Sequence, residues 1–194
     1  MGYVVVQRVV TPDEWVYGYL DGFAKKAKLL YNASLFRIRN IFTGYDKECM
    51  TENEAEVFAE VRLLQASYPG KPVKKVITYN QLEKLLRVTK NPDFFAGLPM
   101  QTAQAVVKSA VMDFRNWLSS RKEYSRHPEK FLGKPKMPKY KKTDTCTFAF
   151  SNQDAILYPQ DTGVQLKLPM TRQRLSFPNI SSDAWLKEAK VKPY

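Results

Sequence analysis

Between Arg121 and Lys142 the sequence sets nine Lys or Arg residues against two Glu. Its densest part reads Gly133-Lys134-Pro135-Lys136-Met137-Pro138-Lys139-Tyr140-Lys141-Lys142. Proline fixes its own φ, has no amide hydrogen and drives the residue before it out of the helical region. Pro135 and Pro138 therefore impose an extended, polyproline-like backbone. Such a strip offers cations at a pitch that follows a phosphate backbone, with affinity that comes from counterion release and falls steeply with salt. Tyr140 adds a ring that can stack on a base or ribose. The expected backbone-gripping residues are Arg121, Lys122, Lys134, Lys136, Lys139, Tyr140, Lys141 and Lys142. The segment does not separate RNA from DNA, and a solvated loop of mutually repelling lysines is the plain alternative.

Other chemistries have less to work with. The single histidine, His127, lies in this basic stretch and reads as solvated surface, which excludes an ordinary zinc site. Cys49 and Cys146 have no Cys-x-x-Cys spacing and read as two reduced thiols. The acidic run Glu52, Glu54, Glu56 and Glu60 solvates a helix face and shows no paired-carboxylate geometry. The 194 residues carry 31 Lys and Arg against 19 Asp and Glu, a net charge of +12 that draws DNA, RNA or an anionic membrane alike. The excess is uneven: residues 1–95 are net +3 and residues 96–194 net +9. No run of 18 apolar residues spans a bilayer, and the start lacks the features of a signal peptide. A cytoplasmic protein is expected.

The elements that position these residues follow from periodicity and punctuation. Residues 3–10, rich in valine, read as a strand stopped by Thr11-Pro12. Three-and-four spacing of Leu20, Phe23, Ala27, Leu30, Tyr31, Leu35, Ile38 and Ile41 predicts a long helix from about Asp13 to Phe42, with Thr43-Gly44 as its cap. A weaker helix is expected over about Glu52–Ala66. A third starts at Thr78, whose Gln81 stands at capping-box spacing. A fourth runs from Met100 to about Arg121, with Ala103, Val106, Val107, Ala110, Val111, Phe114, Trp117 and Leu118 inward. Thereafter period-two alternation predicts strands at 145–151 and 164–168, and residues 155–158 and 172–177 read as two further short strands. The fold class is α+β: one strand, a helical block, then an antiparallel meander, so that the block interrupts a β domain after its first strand.

In this order the motifs resemble the N-terminal part of the TnpB (OrfB) family, transposon-encoded RNA-guided DNA nucleases related to type V CRISPR effectors. The likeness rests on the opening strand ending in Thr11-Pro12 and on Leu30-Tyr31-Asn32-Ala33-Ser34-Leu35 with Arg39. It continues in Tyr79-Asn80-Gln81-Leu82, in Leu98-Pro99-Met100-Gln101-Thr102-Ala103-Gln104 followed by Phe114 and Trp117, and in Lys134–Lys142 with Phe148 and Phe150. It covers roughly residues 3–170.

The resemblance implies a β-barrel-like wedge domain, residues 1–11 and 131–194, interrupted by a helical recognition lobe, residues 12–130. The implied partners are a guide RNA and target DNA, with no membrane. Base pairing would then supply sequence specificity, while the protein reads shape and a short motif beside the target. By position, Tyr79, Asn80, Gln81, Lys84, Gln101, Thr102 and Gln104 are candidates for motif reading; Asn and Gln pair bidentately with adenine. Ordinary capping and solvent exposure account for any one of them equally well. Family members continue into a RuvC-like nuclease domain that binds divalent metal and into a four-cysteine zinc module. Neither pattern occurs in this sequence, so no cofactor and no cleavage are expected of these residues. The chain then reads as a fragment, a truncated relic or a stand-alone RNA- or DNA-binding regulator. A protein-interaction module with a basic tail explains the helices but leaves Lys134–Lys142 without a purpose.

Overall fold

The computed structural model describes residues 5–70, 72–178, 180–181 and 183–193. Among these residues four α-helices, α1 (Trp15–Gly44), α2 (Glu52–Ser67), α3 (Tyr79–Val88) and α4 (Met100–Arg126), precede five short strands. The strands are β1 (Phe148–Ser151), β2 (Ile156–Gln160), β3 (Gly163–Lys167), β4 (Arg174–Pro178) and β5 (Glu188–Val191). The class is α+β, and no helix is long and apolar enough to cross a membrane among the described residues.

The helices form where apolar residues recur on one face and where caps satisfy the first amides. In α1 the residues Phe23, Ala27, Leu30, Tyr31, Leu35, Ile38 and Ile41 are all buried. Capping boxes open α2 (Thr51 with Glu54) and α3 (Thr78 with Gln81). The Lys47 ammonium lies 2.7 Å from Glu54 and, with Thr43 and the Thr51 amide, pulls that carboxyl down to about 2. The first two helices cross closely at Gly44, where a Cβ would stand 3.0 Å from the Phe58 ring and 3.1 Å from Glu54 Cβ. Buried Arg37 joins the same pair, donating to both Glu60 oxygens at 2.7 and 2.6 Å. In α4, Ala103, Val106, Val107, Ala110, Val111, Phe114 and Trp117 are buried, as their spacing predicts.

The strands make two antiparallel sheets, β1–β5 and β2–β3–β4. Phe148 and Phe150 of β1 meet Phe23 of α1 edge-to-face at 6.3 and 5.8 Å, which carries the helical core into the first sheet. In the second sheet Leu157, Leu166 and Leu175 stand in register, as do Pro159, Val164 and Phe177. That face turns inward: Val164, Leu166 and Leu175 are buried. Gly163 closes the β2–β3 turn at φ +131°, where a Cβ would lie 2.4 Å from the Phe177 carbonyl oxygen.

Several expectations differ from this arrangement. The strands do not close into a barrel among the described residues, and β1 pairs with β5 rather than with the next strand. Residues 5–10 form no ladder, and residues 3 and 4 lie outside the described residues. The side chain of Arg8 reaches β4 instead, donating to the Ser176 carbonyl at 3.4 Å. Gly44 is the last helical residue rather than a cap. Helix α4 also continues to Arg126, so Arg121 and Lys122 project from a helix and not from the extended strip.

Candidate nucleic-acid interface

After α4 the chain turns through a single 3-10 turn at Pro128–Lys130 and then runs extended across α4 and α1. Three helix side chains hold this strap by bonding to its backbone. The Trp117 indole N–H donates to the Pro135 carbonyl at 3.2 Å. Arg39 Nη1 donates to the Pro138 carbonyl at 3.3 Å. Asn32 Nδ2 donates to the Lys141 carbonyl at 3.0 Å, while the Lys141 amide donates to Asn32 Oδ1 at 2.8 Å. A carboxamide carries the same donor and acceptor as a peptide unit, so Asn32 supplies one rung of a ladder from a helix. Farther on, the Cys146 amide donates to the Ala24 carbonyl at 3.2 Å. Met137 packs against the core between the two proline contacts.

With backbone and Met137 turned inward, the cations turn out. Lys134, Lys136, Lys139, Lys141 and Lys142 are exposed, and none forms an ion pair among the described residues. From Phe131 to Lys142 there is no carboxylate in the sequence to neutralise them. A polyproline backbone rises about 3.1 Å per residue, so charges two or three residues apart recur every ~6–9 Å. Arg39 stacks its guanidinium 5.0 Å from the Tyr140 ring centroid, and Lys141 Nζ sits 4.8 Å from that of Tyr31. Arg121 lies 5.2 Å over Trp117, the residue that holds Pro135. The exposed positions Arg121 and Lys122 thus extend the basic surface from the strap onto the end of α4.

The motif-reading candidates divide. Asn80, Lys84 and Gln101 are exposed, with Lys84 Nζ 4.8 Å from the Tyr68 ring centroid. Gln81 serves the α3 cap and also donates to the Pro72 carbonyl at 3.3 Å. Tyr79 is half-buried against the core, and burial raises its phenol pKa. Gln104 donates to Glu83 at 3.3 Å, and Glu83 in turn accepts from Arg87 at 2.6 Å, which ties α3 to α4. Thr102 is withdrawn from the set: it is wholly buried, and its hydroxyl donates to Asp154 at 2.9 Å. The loop before β2 covers it, a contact that helix periodicity could not anticipate.

Sequence reasoning did not identify Asn32, Arg39 and Trp117 as the strap's holders. One signal was available: Asn32 and Arg39 are seven residues apart, two turns along one face of α1. Beside the strap's end a cleft of about 800 Å³ opens between α4, β1 and β5, lined among others by Tyr31, Asp113, Lys141, Cys146, Glu188 and Lys190. The Tyr31 hydroxyl donates to Asp113 at 2.7 Å, and burial pushes the Cys146 thiol up to about 11, which keeps it protonated near neutrality. The cleft mixes charges, and no group of three His, Cys, Asp or Glu side chains could hold a metal among the described residues. No family model, curated protein or solved structure matches this chain.

Proposed function

We propose that this chain is the nucleic-acid-recognition half of an RNA-guided DNA nuclease of the TnpB kind, gripping guide RNA and reading a motif beside the target DNA. The observation that carries this reading is the strap: lysines without acidic partners, displayed outward from a backbone that α1 and α4 clamp. The segments that carry the resemblance support it, because Asn32 and Arg39 from one motif and Trp117 from a second converge on Lys141, Pro138 and Pro135 of a third. In this reading the helices form the recognition lobe and the two sheets belong to the wedge domain. Motif reading falls to Asn80, Lys84 and Gln101. Cleavage would be the work of a nuclease domain with its own metals, of which these residues contain no part.

The test is a salt titration of RNA affinity. Changing Lys134, Lys136, Lys139 and Lys141 together to Ala should reduce the slope of log K against log salt by roughly 3, at 0.7 to 0.9 per phosphate contact. An unchanged slope overturns the strap assignment. Sequencing the RNA that co-purifies with the chain separates the two forms of the reading: a discrete species supports the guided nuclease, a random cellular mixture the stand-alone binder. Gln101→Ala should shift preference across a panel of target-adjacent sequences; if preference holds, Gln101 is helix surface only.

A further inference from the structure

The three strands β2, β3 and β4 contain no Asp or Glu. Opposite the buried leucines, the register brings Ile156, Lys167 and Arg174 into one row and Tyr158, Gln165 and Ser176 into the next. Arg174 reaches diagonally across β3. Its Nη1 donates to Gln165 Oε1 at 3.4 Å, and its guanidinium stands 3.9 Å from the Tyr158 ring centroid. The side chain is exposed and pairs with no carboxylate among the described residues. A planar, weakly hydrated cation is thereby held over a ring with its other side toward solvent.

A cleft of about 420 Å³ adjoins this face, lined by Ile156, Lys167, Met170 and Arg172 among others. At its rim Met170 holds φ +58°, a left-handed conformation that costs a non-glycine residue about 1–3 kcal/mol and gathers at ligand sites. The one carboxylate in its lining, Asp154, accepts the Thr102 hydroxyl. Asp161 sits in the β2–β3 turn, at the opposite end of the strands from Lys167 and Arg174.

We propose that the outward face of β2–β3–β4 binds a single-stranded nucleic-acid segment, stacking a base on the Arg174–Tyr158 pair and gripping the backbone with Lys167 and Arg172. The inference rests on the nucleic-acid reading of the chain and not on the strap. Unpaired bases stack on aromatic rings and on guanidinium planes, whereas a duplex hides those base faces within its own stack. Gln165, between the two stacked groups, offers an amide for a base edge. Charge complementarity favours the same occupant, since the face carries Lys and Arg with no acid on its three strands.

The experiment uses the full chain with single-stranded oligouridylate RNA and a duplex of equal length. Tyr158→Ala and Arg174→Ala should each weaken single-strand affinity by roughly ten-fold, from the loss of one stacking contact, with duplex affinity nearly unchanged. Tyr158→Phe keeps the ring and should bind as wild type. Independently of any variant, 5-iodouridine RNA irradiated with the wild-type chain should crosslink to Tyr158. Wild-type affinity in both Ala variants, or crosslinks confined to the strap, overturns the sheet site and leaves the strap standing. Conversely, loss in the sheet variants together with an unchanged salt slope in the strap variant sinks the strap and keeps the sheet.

Discussion

Residues 5–10 and 134–142 both run outside the two sheets, and they are held in opposite ways. The first is rich in β-branched side chains, yet Val5, Val6 and Val9 are exposed and its long-range tethers are the Arg8 side chain on β4 and Val10 against the core. The second is rich in Pro and Lys, yet Trp117, Arg39 and Asn32 fix its backbone at Pro135, Pro138 and Lys141. β-propensity is mostly a measure of packing against neighbours, and without a partner strand it fixes nothing. Satisfied peptide groups fix an extended chain, whatever supplies the partners. Proline reduces that demand in the strap by removing two amide hydrogens. The strap is thus the better-determined of the two segments, and for a backbone-gripping surface that is the useful outcome: cations held in place lose less entropy on binding than cations on a free loop.

The change that should most disturb this contrast is Trp117→Ala. It deletes a buried aromatic packed on Phe42 and Phe114, along with the donor to Pro135, and should cost about 3–5 kcal/mol in denaturant unfolding. Trp117→Phe keeps most of the burial and removes the donor, so it should cost only about 1 kcal/mol while loosening the strap. If the Phe variant leaves hydrogen exchange at the strap's bonded amide, Lys141, untouched, the indole is core and not clamp. Next in size, Asn32→Ala removes both bonds to Lys141 and should cost about 1 kcal/mol, because water can reach the freed groups. The Lys141 amide should then exchange faster.

These contacts mark the boundary of what the chain discloses locally. Helix existence was legible, because one-face periodicity in α1 and α4 and the Thr78–Gln81 box are written within a few turns. The strands near 148 and 165 were legible from their alternation, and those near 157 and 175 as short strands between them and after them. Pairing was not: β1 chooses β5, some 40 residues on, and nothing in Glu188–Val191 announces a strand. The basic surface was legible as composition, but its holders were not, because Asn32 and Trp117 meet the strap only after α1 and α4 have packed. Thr102 failed as a motif reader for a like reason, since Asp154 comes to it from 52 residues away.

Acid should sharpen the contrast further. The Thr11 amide, and then Arg8, hold the Glu14 carboxyl below its ordinary 4.5. A depressed carboxylate contributes stability that is full above the ordinary value and is lost as pH falls through the lowered one. Lowering the pH through that depressed value should therefore release the Arg8–Glu14 pair and loosen residues 5–14. The strap's holders are an amide, an indole and a guanidinium, with no carboxylate among them. Hydrogen exchange followed on acidification should rise at residues 5–14 before it rises at 136–141; simultaneous loss would mean that the two segments share one anchor.

The smallest effect tests the claim that the valine run is not a working strand. Val5→Ser and Val9→Ser alter exposed side chains and should shift stability by no more than about 0.5 kcal/mol. Val10 differs, because it packs against the core, and Val10→Ser should cost roughly 1 kcal/mol or more. A large loss at Val5 or Val9 would show that residues 5–10 pair in solution with an edge such as β4, where Arg8 already reaches Ser176. The N-terminal segment would then be a fourth strand of the β2–β3–β4 sheet, and its contrast with the strap would reduce to the choice of partner, strand or helix.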